Sequence, residues 1–187
     1  TSILAALLLM FSVTTTHAAD FEAALTSETA QFTWHSDSSL IGWGGAELGL
    51  GIFYNDIDDY VGKFSLMQRR QPSKRSRLTL GVGARAYLGE LDIPDEGIFS
   101  IAIGGEVRYT FPGVMPMSIW FSGHYAPKIT SFSDAEEVLE TNLGFQIEVL
   151  PQTTAFVGYR TIEVDLGGPR AYEMDDDRVH VGVRFTF

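Results

Sequence analysis

The chain contains no cysteine. That excludes a disulfide scaffold and thiolate metal sites, and it excludes lipid attachment at an N-terminal cysteine. Basic residues are few, 13 Lys and Arg against 24 Asp and Glu for a formal charge of -11. A nucleic-acid binder would have to hide a strong basic face within an acidic molecule. Helical periodicity is missing too, since no window of about eleven residues holds a 3.6-residue period. What remains is a chain of 187 residues, 45% hydrophobic and rich in glycine with 19, enough for one folded unit.

Residues 1–13, TSILAALLLMFSV, form a short apolar core followed by the polar TTTHA and then AD. A run of this length ending in small residues fits the hydrophobic region and cleavage site of a signal peptide, and it is too short for a membrane-spanning helix. Cleavage is expected after Ala18, with a basic leader preceding Thr1.

From about residue 40 onward the dominant period is two. Along 77–88, Leu78, Leu80, Val82, Ala84, Ala86 and Leu88 oppose Arg77, Thr79, Gly81, Gly83, Arg85 and Tyr87. Along 99–111, Phe99, Ile101, Ile103, Val107, Tyr109 and Phe111 oppose Ser100, Ala102, Gly104, Glu106, Arg108 and Thr110. The C-terminal run sets Val179, Val181, Val183, Phe185 and Phe187 against Arg178, His180, Gly182, Arg184 and Thr186, and segments 46–54 and 141–149 repeat the scheme. The polar faces mix charges with glycine, as a narrow lumen needs, and the apolar faces carry aromatics near their ends. The expectation is an all-β, transmembrane, antiparallel up-and-down β-barrel with apolar side chains turned out to lipid. In 117–126, Trp120 points inward if Phe121 and Tyr125 face lipid.

Alternating segments near 43–54, 60–69, 77–88, 98–111, 117–126, 140–149, 153–164 and 178–187 favour eight strands, with the barrel over residues 42–187. An even number keeps both termini on the periplasmic side, with short turns there and longer loops outside. Residues 19–41 are then an N-terminal extension. The alternative is ten strands, in which ETAQFTWHS and FEAALT each add one. The expected outer loops are acidic, carrying Asp56, Asp58 and Asp59, then Glu90, Asp92, Asp95 and Glu96, then Lys128 with Asp134, Glu136, Glu137 and Glu140, then Arg170 with Asp165, Glu173, Asp175, Asp176 and Asp177. The turn Arg69 to Arg77 is basic, with Arg70, Lys74 and Arg75 between. The charge thus forms an axis, acidic outside and basic at the periplasmic rim.

The terminal GVRFTF resembles the signature by which outer-membrane assembly machinery recognises its substrates, with Val183, Phe185 and Phe187 as its alternating apolar positions. Together FSGHYAP, LETNLGFQIEVLPQTTAFVGYRTIEVDL and VHVGVRFTF, with GGEVRYTFPG and GIFYNDIDD, resemble the YfaZ family of outer-membrane proteins, most clearly from Leu80 to Phe187. The resemblance implies export through the periplasm to the outer membrane of a Gram-negative bacterium. It brings no catalytic residue and no cofactor.

Inward charges are expected at Glu47, Lys63, Arg85, Glu106, Arg108, Glu148, Arg160, Arg178 and Arg184, beside His124 and His180. Isolated charges in a closed barrel are costly, so these should pair into a lumenal network. That predicts a non-enzymatic, monomeric barrel of structural, envelope or surface-interaction role. Its partners would be outer-membrane lipid, lipopolysaccharide and the assembly machinery, with no nucleic acid. A narrow gated pore is the alternative. A weaker one is a lipid hydrolase, using Ser122 and His124 on one face with Glu106 or Glu148. Two distant histidines without HExxH predict no zinc site. The acidic loops lack calcium-loop spacing, although they could share divalent cations with lipopolysaccharide.

Overall fold

The computed structural model describes residues 19–41, 44–92, 96–133, 135–167 and 172–187; the expected signal segment 1–18 lies outside them. Eleven strands follow in order: β1 (Ala19–Leu25), β2 (Thr29–Asp37), β3 (Glu47–Asn55), β4 (Tyr60–Arg70), β5 (Leu78–Leu91), β6 (Glu96–Thr110), β7 (Met117–Ala126), β8 (Ser131–Ser133), β9 (Glu137–Leu150), β10 (Thr153–Asp165) and β11 (Tyr172–Thr186). Each pairs antiparallel with its neighbours, and β1 pairs with β11, so the sheet closes on itself. Ten strands form the ring. The short β8 instead continues the edge of β6 past the end of β7, pairing Phe132 with Phe99, and so covers backbone groups that would otherwise lie open.

The count of eight is therefore corrected to ten. Residues 19–37 are not an extension but the hairpin β1–β2, and ring closure runs through it. The hairpin turns tightly at Thr26, whose hydroxyl accepts the backbone N–H of Glu28 (3.0 Å) and of Thr29 (2.7 Å), a local bond typical of Ser and Thr in turns. At the other end Ala19 and Phe187 exchange backbone bonds, with Phe187 N–H donating to Ala19 O at 2.8 Å. This edge, where Ala19 and Phe187 lie, is the terminal rim, and the opposite edge is the distal rim.

Turn length does not separate the rims as expected. The terminal-rim connections 38–46, 71–77 and 111–116 are longer than the distal 26–28 and 56–59. Charge separates them better, because the basic turn lies at the terminal rim and Asp56, Asp58, Asp59 and Asp92 at the distal one.

The outward faces agree with the period-two reading. Ile103 is 69% exposed and Val181 59%, with Leu50, Ile52, Phe64, Val82, Leu88, Phe121, Tyr125 and Val179 similarly bare. Trp120 turns inward and is buried. Lumenal glycines make room for such rings. Trp120 on β7 lies across Gly144, its partner on β9, and a Cβ there would fall 2.3 Å from Trp120 Cζ2. Phe156 covers Gly182 in the same way across β10 and β11. Gly144→Ala should lower stability by about 1–3 kcal/mol through overpacking, whereas Gly123→Ala, with open space at its Cβ, should be nearly neutral. In urea unfolding of the detergent-folded protein, Trp120→Ala should abolish most of the Gly144→Ala penalty. Additive losses would show that the ring and the glycine are not coupled.

Candidate functional site

The lumen is layered. At the distal end it is apolar, because the inward phase of the strands there supplies Phe53, Val61, Leu91, Ile98, Val138, Ile162, Val164 and Met174, all buried in one cluster. Above this cluster Asp59 is fully buried. Its carboxylate accepts bonds from Asn55 Nδ2 (2.8 Å), Tyr172 OH (3.0 Å) and the backbone N–H of Asp92 (3.0 Å). One side chain thus ties the β3–β4 connection to the backbone of Asp92 after β5 and to the start of β11 over the apolar layer.

Below the apolar layer lies a carboxylate, Glu140 on β9, that gathers three donors. Lys63 Nζ approaches at 3.1 Å, Arg85 Nη1 at 2.8 Å and Tyr87 OH at 2.6 Å. Gln31 Oε1 bridges Lys63 (3.0 Å) to Arg160 Nη1 (2.8 Å), and Arg160 lies over the Phe53 ring at 5.1 Å. The layer draws on β2, β4, β5, β9 and β10, so it braces the barrel across its diameter. Deep ion pairs of this kind repay their desolvation only when every charge has partners.

A second carboxylate centre lies closer to the terminal rim. Glu106 takes a two-pronged contact from Arg69 (3.1 and 3.0 Å) and a third bond from Arg108 Nε (3.1 Å). Arg69 also reaches Glu47 (2.5 Å), which meets His35 Nδ1 at 3.0 Å. Arg108 reaches Gln146 Oε1 (2.8 Å) and lies over the Trp120 ring. At the closing seam Arg184 donates to Glu22 Oε2 from Nε (2.9 Å) and Nη2 (2.5 Å), and the two residues stand directly opposite on β11 and β1. A polar cavity of about 90 Å³ lies among these groups, and a wider one of about 360 Å³, lined by Asp20, His35, Asp37, Glu47 and Arg69, lies at the terminal rim.

Seven of the nine expected inward charges thus enter contacts: Glu47, Lys63, Arg85, Glu106, Arg108, Arg160 and Arg184. Glu148 is half-buried and joins no ion pair among the described residues, and the side chain of Arg178 lies outside them. Three partners were not expected. Glu140 and Arg69, the end residues of the alternating segments 140–149 and 60–69 and also grouped with an acidic loop and a basic turn, lie within β9 and β4, and Glu22 lies on β1. The signal for Glu140 and Arg69 was phase. Glu140 continues the polar face of Asn142, Gln146 and Glu148, and Arg69 continues that of Lys63 and Ser65.

Ser122 stands opposite Glu106, and His124 opposite Glu140, both facing the lumen. His124 is 2% exposed and its Nε2 has no hydrogen-bond partner among the described residues, so no Ser–His–acid hydrogen-bonded chain forms there. No group of three His, Asp or Glu among the described residues could hold a metal ion. Val183, Phe185 and Phe187 lie on the outward face of the seam strand.

A model of the YfaZ precursor family matches residues 3–187. No curated protein matches the chain. Among solved structures, the chain is similar to the beta domain of the Bordetella autotransporter Brka, with a TM-score of 0.44 and 9% identity over 91% of this chain and 98% of that one. It is also similar to the outer membrane channel DcaP of Acinetobacter baumannii (TM-score 0.40, 11% identity, 94% of this chain and 55% of that one). A third is the NanC porin (TM-score 0.40, 10% identity, 91% and 100%). Likeness this distant says nothing about what the lumen does.

The layering predicts an asymmetry between Glu140 and Glu148, two glutamates on the same polar face of β9. Glu140→Ala strands Lys63 and Arg85 in the interior and should cost roughly 3–5 kcal/mol. Glu148→Ala should change stability by less than about 0.5 kcal/mol. Urea midpoints of the two variants measure this, and equal losses would remove Glu140 from its central place.

Proposed function

The chain belongs to the YfaZ precursor family, and from that premise we propose that it is an exported, monomeric, integral barrel of the outer membrane whose lumen is occupied rather than open. The outward band carries this reading. On β6 the outward aromatics Phe99 and Tyr109 are separated by ten positions, about 33 Å of strand at about 3.3 Å per residue. At a tilt of about 40° that is about 25 Å of height, the thickness of an outer-membrane apolar belt. Aromatic pairs bracket the band, Phe99 with Phe132 and Tyr54 with Tyr60 toward the distal rim, Tyr109 with Phe111 toward the terminal one. Aromatics prefer that interfacial depth.

In this reading the terminal rim faces the periplasm and the acidic distal loops face outward beside lipopolysaccharide, with divalent cations between the two sets of negative groups. Val183, Phe185 and Phe187 serve the assembly machinery. The apolar layer under Asp59 and the two ionic centres block passage, which favours a structural or surface-interaction role over conduction. An ester reaching Ser122 and His124 would have to enter the same filled lumen, which disfavours hydrolysis.

Ile103→Lys or Val181→Arg, each near mid-belt, should cost roughly 2–4 kcal/mol in a bilayer, read as reduced folded fraction on gels of unboiled protein. Silent substitutions would argue for a water-exposed barrel. Planar bilayers holding the wild-type chain should show no steady conductance. Stepwise currents whose selectivity is lost in Arg108→Ala would replace this reading with a pore. Fatty-acid release abolished by Ser122→Ala would replace it with an enzyme.

A further inference from the structure

We infer that the terminal rim carries a binding surface for anionic phospholipid headgroups, built from the β4–β5 and β6–β7 turns; this rests on the membrane reading above. The first turn presents Arg70, Lys74, Arg75 and Arg77. All four are exposed, and none joins an ion pair among the described residues. In a chain of formal charge -11, four unpaired cations on one turn mark a concentrated positive field that calls for an anionic partner.

Their height on the barrel identifies that partner. Along the outward face of β4 the sequence passes from Phe64 and Leu66 to Gln68 and then Arg70, so the guanidinium emerges where the apolar band ends. Phosphates of a bilayer leaflet lie at that depth, and Arg and Lys stems reach along apolar surface to meet them. The acids of this rim lie elsewhere: Asp20, Asp37 and Glu47 line the terminal-rim cavity, where Glu47 is held by Arg69, and Glu148 is half-buried on β9, so residues 70–77 themselves carry four cations and no acid.

The neighbouring turn adds the second element. Thr110 N–H donates to Arg77 O at 2.9 Å, which joins the bases of the two turns. Beyond it the chain reads Phe-Pro-Gly-Val-Met-Pro, with Val114 fully exposed, Met115 half-exposed and Phe111 less so. An apolar tip beside a basic turn is costly in water and matches the headgroup boundary, where apolar contact and phosphate attraction act together. A soluble acidic protein would satisfy the charge but leave the position at the edge of the band unexplained.

The test uses the full mature chain folded in detergent, then exchanged into mixed micelles holding equal phosphatidylglycerol and phosphatidylcholine. Native mass spectrometry counts the lipid retained. The wild type should retain phosphatidylglycerol over phosphatidylcholine by a factor on the order of ten. Replacing Arg70, Lys74, Arg75 and Arg77 together by Gln should bring the ratio close to one, and Val114→Ser with Met115→Ser should lower retention of both lipids. Gel mobility of unboiled protein confirms that each variant is folded. Equal retention of both lipids by the wild type, or a preference that survives the fourfold substitution, overturns the inference while leaving the membrane barrel standing. Failure of the wild type to enter bilayers at all overturns the membrane reading itself. A preference that disappears only when an acidic protein is the competitor would assign the surface to a protein partner and likewise overturn it.

Discussion

Closure of the sheet between β1 and β11 is the constraint on which everything else in this molecule depends. A closed ring pairs the backbone groups along each strand within the sheet, which leaves side chains alone to decide which environment each face suits. Once the outward faces are apolar, the polar half of every strand is committed to a confined interior. Charges there must find one another. The Glu22–Arg184 pair joins both demands, because it is a lumenal ion pair and lies directly across the closing seam.

The interior meets the second demand by sorting its contents along the axis. Apolar side chains collect under the distal loops, Glu140 organises the cations in the middle, and Glu106 with Glu47 organises those nearer the terminal rim. Each acid serves two or more donors, so a few carboxylates hold a larger number of cations. The glycines opposite Trp120 and Phe156 belong to the same economy of space. They let a ring lie flat against the wall of a lumen that could not otherwise hold both ring and guanidinium.

Much of this was legible in the period of two. The outward positions Ile103, Val181, Phe121 and Tyr125, the inward turn of Trp120, and seven lumenal charges follow from alternation alone. The strand number did not, because β1 is short and two of its outward residues, Ala23 and Leu25, sit in the near-featureless run FEAAL. Glu140 and Arg69 stand at the ends of the alternating segments 140–149 and 60–69 and group by composition with an acidic loop and a basic turn, so only phase marks them as inward. The apolar distal layer was hidden for a related reason. Ile162, Val164 and Val138 are inward residues with outward chemistry, and alternation cannot reveal an apolar residue on the polar face when its outward neighbours, such as Thr161 and Glu163, are themselves polar.

The seam joins residues from opposite ends of the chain, Glu22 with Arg184, separated by 162 positions. Local hairpins such as β9–β10, linked by Pro151 and Gln152, can form as soon as their own residues arrive, but the ring cannot be sealed until the last strand is present. Truncation anywhere before β11 therefore leaves an open sheet with two bare edges rather than a smaller barrel. Completion of the fold is thus a check that every strand from β1 to β11 has been delivered.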